Sequence, residues 1–352
     1  MRDSHFYLHH DPKQEVLAEV LLDKLRGEGA GDPFYQSHVL VRNQGMATWL
    51  RQRLARATGL AMQIEFPQPA KFRQGVLEGD SVGLEELKWR IYRELPDLAK
   101  HPSASAVDEY LGWDHTNADS ALKRYQLSGH LASLFDKYLL YRPDWIAAWD
   151  SGKSAASGQH EKWQRELWTR LGKQGSVQHW TQELLASGQI EASNDLPGSL
   201  HVFGISNFAP IYVHFLYLLS EQIPVHIYWM NPVEGYWGDG PTHRQWVLAK
   251  AFDDPEILMA HNPLLASFGR MGREFVHTVY GGDDGNHEVQ EEDHAPSPGI
   301  ENAKTRLLAL QRSLRENQPN DTDFGSEDRS IEIHSCHTPL REVEVLKTYL
   351  LT

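Results

Sequence analysis

The sequence predicts an α/β fold, a parallel sheet with covered faces and an all-helical block set into it. The first observation behind this is HVLVRNQGMATWLRQRLARA, His38 to Ala57, which reads as a buried strand, a tight loop and a helix in immediate succession. The second is that strand and helix patterns alternate before Phe66 and again after Leu200, as βα units do. The third is that Leu84 to Gly188 carries helical periodicity and no convincing strand.

Taken in order, Phe6 to His9 form a short strand, and Pro12 to Leu25 a helix with apolar Val16, Leu17, Val20, Leu21 and Leu25. The Gly27 to Pro33 run is turn chemistry. His38 to Val41 is the next strand, Ala47 to Ala57 its helix and Ala61 to Phe66 a third strand. Pro67 and Pro69 then favour an extended backbone with Gln68 pointing outward. Helices are expected at Leu84 to Leu95, Ala121 to Leu140, His160 to Leu171 and Val177 to Ala186. The longest carries Leu127, Leu131, Leu134, Phe135, Tyr138 and Leu139 on one stripe, and Pro143 stops it with Arg142 presented at its end.

The α/β pattern resumes with a strand at Leu200, a helix from Pro210 to Glu221 and a strand from Pro224 to Met230. Helices follow around Arg244 to Phe252 and over Asn262 to Phe275. Gly281 to Gly299, rich in Asp and Glu without Lys or Arg, reads as a solvated linker. Ala303 to Arg315 is a helix, and a second polar linker runs to Arg329. Ser330 to His334 is expected as a strand and Leu340 to Leu351 as a helix whose Leu346, Tyr349, Leu350 and Leu351 lack a later partner, as if a further domain followed. The implied division is 1–80 and 196–328 for the main domain, 81–195 for the helical insertion and 329–352 for the start of a second domain.

The loop after the strand at His38 invites a test for nucleotide chemistry. A phosphate-cradling loop needs Gly-x-x-x-x-Gly-Lys-Ser/Thr, whose N–H groups and lysine neutralise phosphate while a hydroxyl holds magnesium. Here Met46 follows Gly45, and Thr48 comes too late. The strand ending at Ile205 runs into Ser206, Asn207 and Phe208, with no carboxylate for magnesium. The pattern is P-loop-like but degenerate.

A net charge of −14 argues against a protein that coats nucleic acid with its whole surface. Between His38 and Gln74, however, Arg42, Arg51, Arg53, Arg56, Lys71 and Arg73 stand against Glu65 alone. Such asymmetry is an electrostatic footprint for nucleic acid, and a solvated basic helix face is the plainer alternative. The single cysteine, Cys336, rules out an internal disulfide, and the longest apolar stretch, Ile211 to Leu219, is too short to span a bilayer. The chain is read as cytoplasmic.

Seven stretches carry a family resemblance: GMATWL at Gly45, FPQPAKF at Phe66, LFDKYLLYRPDW at Leu134, FGISNFAPIY at Phe203, NPVEGYWGD at Asn231, NPLLASFGRMGRE at Asn262 and CHTPLREVEVL at Cys336. In these, the chain resembles the gamma subunit of exodeoxyribonuclease V, the RecC family of the RecBCD helicase-nuclease, as an N-terminal portion of a longer member. The resemblance implies a superfamily-1 helicase-like domain pair that has lost ATPase function, into which the helical block read above would be inserted. It implies a subunit that binds single-stranded and forked double-stranded DNA, guides the 3′-ended strand and reads the Chi sequence in recombinational repair. RecB-like and RecD-like partners would use ATP and magnesium; this chain would hold no cofactor, no metal and no catalytic residue. The matching positions nominate Leu134, Asp136 and Arg142 for recognition; Arg42, Arg51, Arg53 and Arg56 of the basic segment are the candidates for phosphate positioning, and Gln44, Thr48 and Gln68 are further candidate contacts to bases or sugars.

The chain departs from the family where Arg42-Asn43-Gln44-Gly45-Met46 replaces the usual Gln-Ser-x-Gly-Met, where Gln68 replaces an apolar residue and where Gln74 replaces an aromatic one. The expectation is that affinity for the strand survives while Chi specificity is altered or lost, because base readout depends on side-chain identity. Two other classes compete: an ATP-dependent helicase in its own right, and a structural scaffold for the motor subunits. Glu86-Leu87-Lys88 matches a nuclease element without its aspartate, His334, Cys336 and His337 are poorly spaced for zinc, and the acidic linker lacks a calcium-loop pattern.

Overall fold

In the computed structural model, six strands form one sheet in the order β3-β2-β4-β5-β1-β6. They are β1 (Phe6–Asp11), β2 (Ser37–Val41), β3 (Ile64–Glu65), β4 (Leu200–Phe203), β5 (Val225–Met230) and β6 (Gln290–Glu292). The structure describes residues 5–28, 32, 34–59, 62–77, 82–112, 118–173, 179–190, 196–281, 287–292, 304–319 and 327–351. Four pairings, β1 with β6, β2 with β3, β2 with β4 and β4 with β5, run parallel.

The first helices are α1 (Gln14–Glu28), α2 (Gln44–Thr58), α3 (Pro69–Val76), α4 (Leu84–Ala99) and α5 (Ser105–Leu111). Next come α6 (Ala118–Tyr141), α7 (Pro143–Asp150), α8 (Glu161–Lys173), α9 (Trp180–Ser187) and α10 (Pro210–Leu219). The last are α11 (His243–Phe252), α12 (Pro255–Ala260), α13 (Pro263–Phe268), α14 (Arg270–Val279), α15 (Arg306–Arg315) and α16 (Pro339–Leu351). Two compact units emerge. One comprises Met1–His9, Ala18–Tyr228 and Thr278–Glu292, the other His10–Leu17, Trp229–His277 and Asp293–Thr352.

In the first unit, Leu200, Val202, Val225, Ile227, Phe6 and Leu8 line one face of the sheet and are buried. The opposite face carries Val39, Val41, Phe203 and Tyr228, but also a row of ionisable groups. Glu292 on β6, His9 on β1, His226 on β5 and His201 on β4 lie side by side at one level of the pleat. His9 and His226 share a 3.0 Å hydrogen bond, and His201 Nε2 lies 3.0 Å from Glu28 of α1. Lys24 of α1 closes the other end on Glu292 at 2.8 Å. Buried polar groups must find partners, and this row satisfies itself across four strands.

Helices α4 to α8 share an apolar core of their own, including Ile91, Leu95, Leu131, Phe135, Trp149, Leu167 and Trp168. Glu161 is buried there because its carboxylate accepts from Trp149 Nε1 at 2.9 Å and Ala155 N–H at 3.2 Å. The expected stripe of α6 is largely realised, with Leu131, Phe135 and Leu139 buried and Leu134 and Tyr138 partly so.

In the second unit, Asn231 and Asn262 explain two of the sequence stretches quoted above. Asn231 accepts from Val233 N–H and Trp237 Nε1 at 3.2 and 3.0 Å. Asn262 caps α13 through Leu264 N–H and donates to Ser313 Oγ and the Gln318 carbonyl. Trp237 lies so close to Gly269 and Gly272 that a Cβ there would meet the ring at 2.8 and 3.1 Å. A side chain at either glycine would displace the indole.

Several expectations need correction. The segment expected as acidic linker contains β6, held parallel to β1 by Tyr7↔Gln290 and His9↔Glu292; its Asp283, Asp284 and Asp293 lie outside the described residues. Residues 330–334 are not a strand: Ile333 is 92% exposed and no neighbouring backbone pairs with the segment among the described residues. A strand needs a partner for its N–H and C=O groups. The expected helix from Asn262 to Phe275 is two, broken at Gly269. The extended PQPAKF run is helical from Pro69, because proline is well suited to the first helical turn. Most of the Gly27 to Pro33 turn and Val177-Gln178 lie outside the described residues. Helix α16 buries none of its residues. No helix among the described residues is long and apolar enough to cross a membrane.

Candidate nucleic-acid interface

The β2–α2 connection is where the local sequence sets the chemistry. Val41 ends the strand, Arg42 and Asn43 make the turn, and the helix begins at Gln44 rather than Ala47. Gly45 therefore lies in the first helical turn, not in a loop. Asn43 is in extended geometry and its Oδ1 accepts from Met46 N–H at 3.0 Å. Free N–H groups at a helix start are what would bind phosphate. One of them is taken by the asparagine cap, and a two-residue turn leaves no length for a phosphate-wrapping loop. Thr48 Oγ1 donates back to the Gln44 carbonyl at 2.9 Å. On the neighbouring strand, β4 ends at Phe203 and the turn continues through Gly204 at φ +64, with no carboxylate before Phe208.

The basic side chains of α2 divide as their spacing suggests. Arg51 lies over Phe66 at 5.0 Å, whereas Arg53 bonds Glu19 of α1 at 3.0 Å and lies 5.9 Å from Trp49. Arg53 and Arg56 line a hollow with Ala18, Leu22, Trp49 and Gln52. Arg42, Gln44, Thr48 and Arg56 are exposed.

The chain after β3 returns to β2, Val41 N–H donating to the Pro67 carbonyl at 3.2 Å. Gln68 follows as the N-cap of α3, exposed and without a side-chain cap bond, so its amide is unspent in capping. Gln74 is exposed. Arg73, counted in the sequence only as one charge of a basic run, is instead buried at 8% exposure. Its guanidinium lies 4.7 Å over Trp180, the first residue of α9.

On α6, Leu134 packs against the helical core and Asp136 is half-buried. Burial pushes the Asp136 carboxyl above its usual range, opposed by the charges of Arg73 and Lys137. The same Arg73, after burial itself, lowers His179 to about 4. Asp136, Arg73 and His179 are thus brought within electrostatic reach, although they come from α6, α3 and the start of α9. Arg142 follows α6 and caps α7, its Nε and Nη2 donating to Asp144 at 3.0 and 2.7 Å. Those bonds hold Arg142 more firmly charged and Asp144 below the usual carboxylate range, while the guanidinium stacks 4.2 Å over Trp145.

Among the described residues, the cluster with ligand atoms close enough for a metal is His9, His226 and Glu292, within 4.8 Å, and not His334, Cys336 and His337. The sequence did not single these three out, since each sits alone in its own strand. Glu86 of the Glu86-Leu87-Lys88 element is engaged with Arg90 at 2.6 Å.

Comparison with known proteins adds a family. The model of the RecC N-terminal domain matches residues 6–317. The chain is 28% identical to the RecBCD enzyme subunit RecC of Haemophilus influenzae, covering 98% of this chain and 36% of that protein. It is also 28% identical to the RecC subunit of Escherichia coli, covering 98% and 35%. The subunit of Mycolicibacterium smegmatis is 27% identical, covering 98% and 31%. The chain therefore spans about a third of the length of the curated relatives it matches.

Proposed function

The chain belongs to the family of RecC N-terminal domains, and from that membership we propose that it is the non-catalytic DNA-handling part of an ATP-dependent helicase-nuclease subunit. In this reading it works in recombinational repair with RecB-like and RecD-like partners in the cytoplasm. The partners supply ATP, magnesium and nuclease chemistry. The chain guides the 3′-ended single strand, and its sheet with α4 to α9 between β3 and β4 is a helicase-like domain with a helical insertion.

The observation that carries the reading is the β2–α2 turn. It stands at the strand-to-helix position where nucleotide-binding folds hold phosphate, yet Asn43 caps the helix and no lysine, glycine loop or magnesium carboxylate accompanies it. What remains is Arg42, Arg51, Arg53 and Arg56 in an acidic chain, suited to positioning a phosphate backbone. Gln44, Thr48, Gln68 and Arg142 offer donors and acceptors to bases or sugars. Asp136 would accept from a base amino group, and Leu134 would set its position from the core side. Gln68 and Gln74 replace groups that pack or stack with groups that hydrogen-bond, which supports a sequence preference different from that of other family members.

The test is co-purification with RecB-like and RecD-like subunits and assay of nuclease activity on forked duplexes with and without Chi. Assembly with a Chi response that differs in sequence preference supports the reading; failure to assemble, or ATP hydrolysis by this chain alone, counts against it. A scaffold role is favoured by one observation, the spending of Arg53 on Glu19 and Arg142 on Asp144. A heterotrimer in which Arg142→Ala and Gln68→Ala leave DNA processing untouched would establish that alternative.

A further inference from the structure

Arg73 is a buried cation without an acid. It is 8% exposed, its Nε is buried with no hydrogen-bond partner, and among the described residues no carboxylate lies within ion-pair distance. Desolvating a guanidinium without a partner is costly, so such residues are normally paired or hydrogen-bonded. Arg273, equally buried at 8%, has a hydrogen-bond acceptor instead, donating to the Pro241 carbonyl at 2.7 Å. Arg124 shares a buried, unbonded Nε and an aromatic contact, 3.8 Å over Tyr92, but the residue as a whole is only half-buried.

The surroundings hold Arg73 in place without neutralising it. Phe72 and Val76 anchor α3 in the core on either side. Trp180, 5% exposed, is itself fixed edge-on to Tyr212 at 5.0 Å and Phe215 at 6.1 Å. A guanidinium stacked on a locked indole has little freedom left to lose when an anion arrives. Of the nearby titratable groups, Asp136 senses the charge of Arg73 but does not pair with it, and His179 is neutral near physiological pH. A positive charge is kept near a half-buried carboxylate that accepts hydrogen bonds.

We propose that Arg73, lying over Trp180, is a phosphate-binding residue that anchors one nucleotide of a single DNA strand beside α3. This rests on the strand-handling reading above and adds to it a contact that no surface arginine supplies, one preset by the core.

The test compares the 352-residue chain with Arg73→Met and Arg73→Lys for binding of an oligothymidine over a range of salt. Each phosphate contact to a single strand contributes about 0.7 to the slope of log affinity against log salt. Arg73→Met is expected to lose about 0.7 of slope and on the order of tenfold in affinity, with a thermal midpoint unchanged or raised, since a buried unpaired charge has gone. Arg73→Lys should keep the slope. If the wild-type chain binds and Arg73→Met binds with the same slope, this proposal falls and the strand-handling reading stands. If Arg73→Met lowers the thermal midpoint, Arg73 is a structural tie and the proposal is overturned. If the wild-type chain does not bind the oligonucleotide, both fall.

Discussion

His9 Nε2 and His226 Nδ1, on adjacent strands of the sheet, lie 3.0 Å apart, so one imidazole donates and the other accepts. The pair is compatible with neutral rings and not with two protonated ones. Burial, the neighbouring His201 and Lys24 lower His226 from its ordinary value of 6.5 to about 3. The unfolded chain therefore takes up a proton near pH 6.5 that the folded chain refuses. The associated stability is complete above that pH and is lost as pH falls toward the folded value, at up to about 1.4 kcal/mol per pH unit. His179, lowered to about 4 chiefly by burial, adds in the same direction. Thermal midpoints measured between about pH 7.5 and about pH 4.5 should fall steadily, and His226→Phe should make that fall shallower.

At the other end of the same row, Glu28 accepts from His201. Burial alone would raise the Glu28 carboxyl, but the hydrogen bonds and charge of His201 and the Ser199 bond outweigh it and the net shift is downward. Glu28→Ala leaves the buried His201 without its carboxylate partner, and we expect a loss of roughly 1–3 kcal/mol in urea unfolding.

Asn43 is the cap that replaces a phosphate loop. Asn43→Ala should cost about 1 kcal/mol of stability and should not create ATP hydrolysis, because uncapping one N–H supplies neither lysine nor magnesium ligand. Urea midpoints and a phosphate-release assay read the two halves separately.

Arg142 is exposed and paired with Asp144, so Arg142→Ala should change stability by less than about 1 kcal/mol. In the assembled helicase-nuclease, it should nonetheless weaken the response to a recognised sequence, read as the position at which digestion of the 3′-ended strand stops. An unchanged stopping pattern would remove Arg142 from the recognition set.

How much of this was legible in the sequence depended on whether local pattern and tertiary partner agreed. The strand at His38 and the helix ending at Tyr141 were readable because β-branched runs and a long apolar stripe point the same way as their packing. Gln290–Glu292 was not, because a three-residue polar edge strand owes its existence to β1 and Lys24 rather than to its own side chains. Ile331 and Ile333 gave the reverse error, an alternating pattern with no strand beside it. At the candidate interface, Gln68 and Arg142 are exposed, as their prolines lead one to expect, and so are Arg42 and Gln44, but Arg73 was hidden among basic neighbours. Its burial and the proximity of Trp180, over a hundred residues later in the chain, distinguish it.

The most direct test of the account is the salt dependence of single-stranded DNA binding by this chain, free of nucleotide and partners. The account predicts binding without ATP whose log affinity falls linearly with log salt, by about 0.7 for each phosphate engaged. Affinity that does not change with salt, or no binding at all, would contradict it.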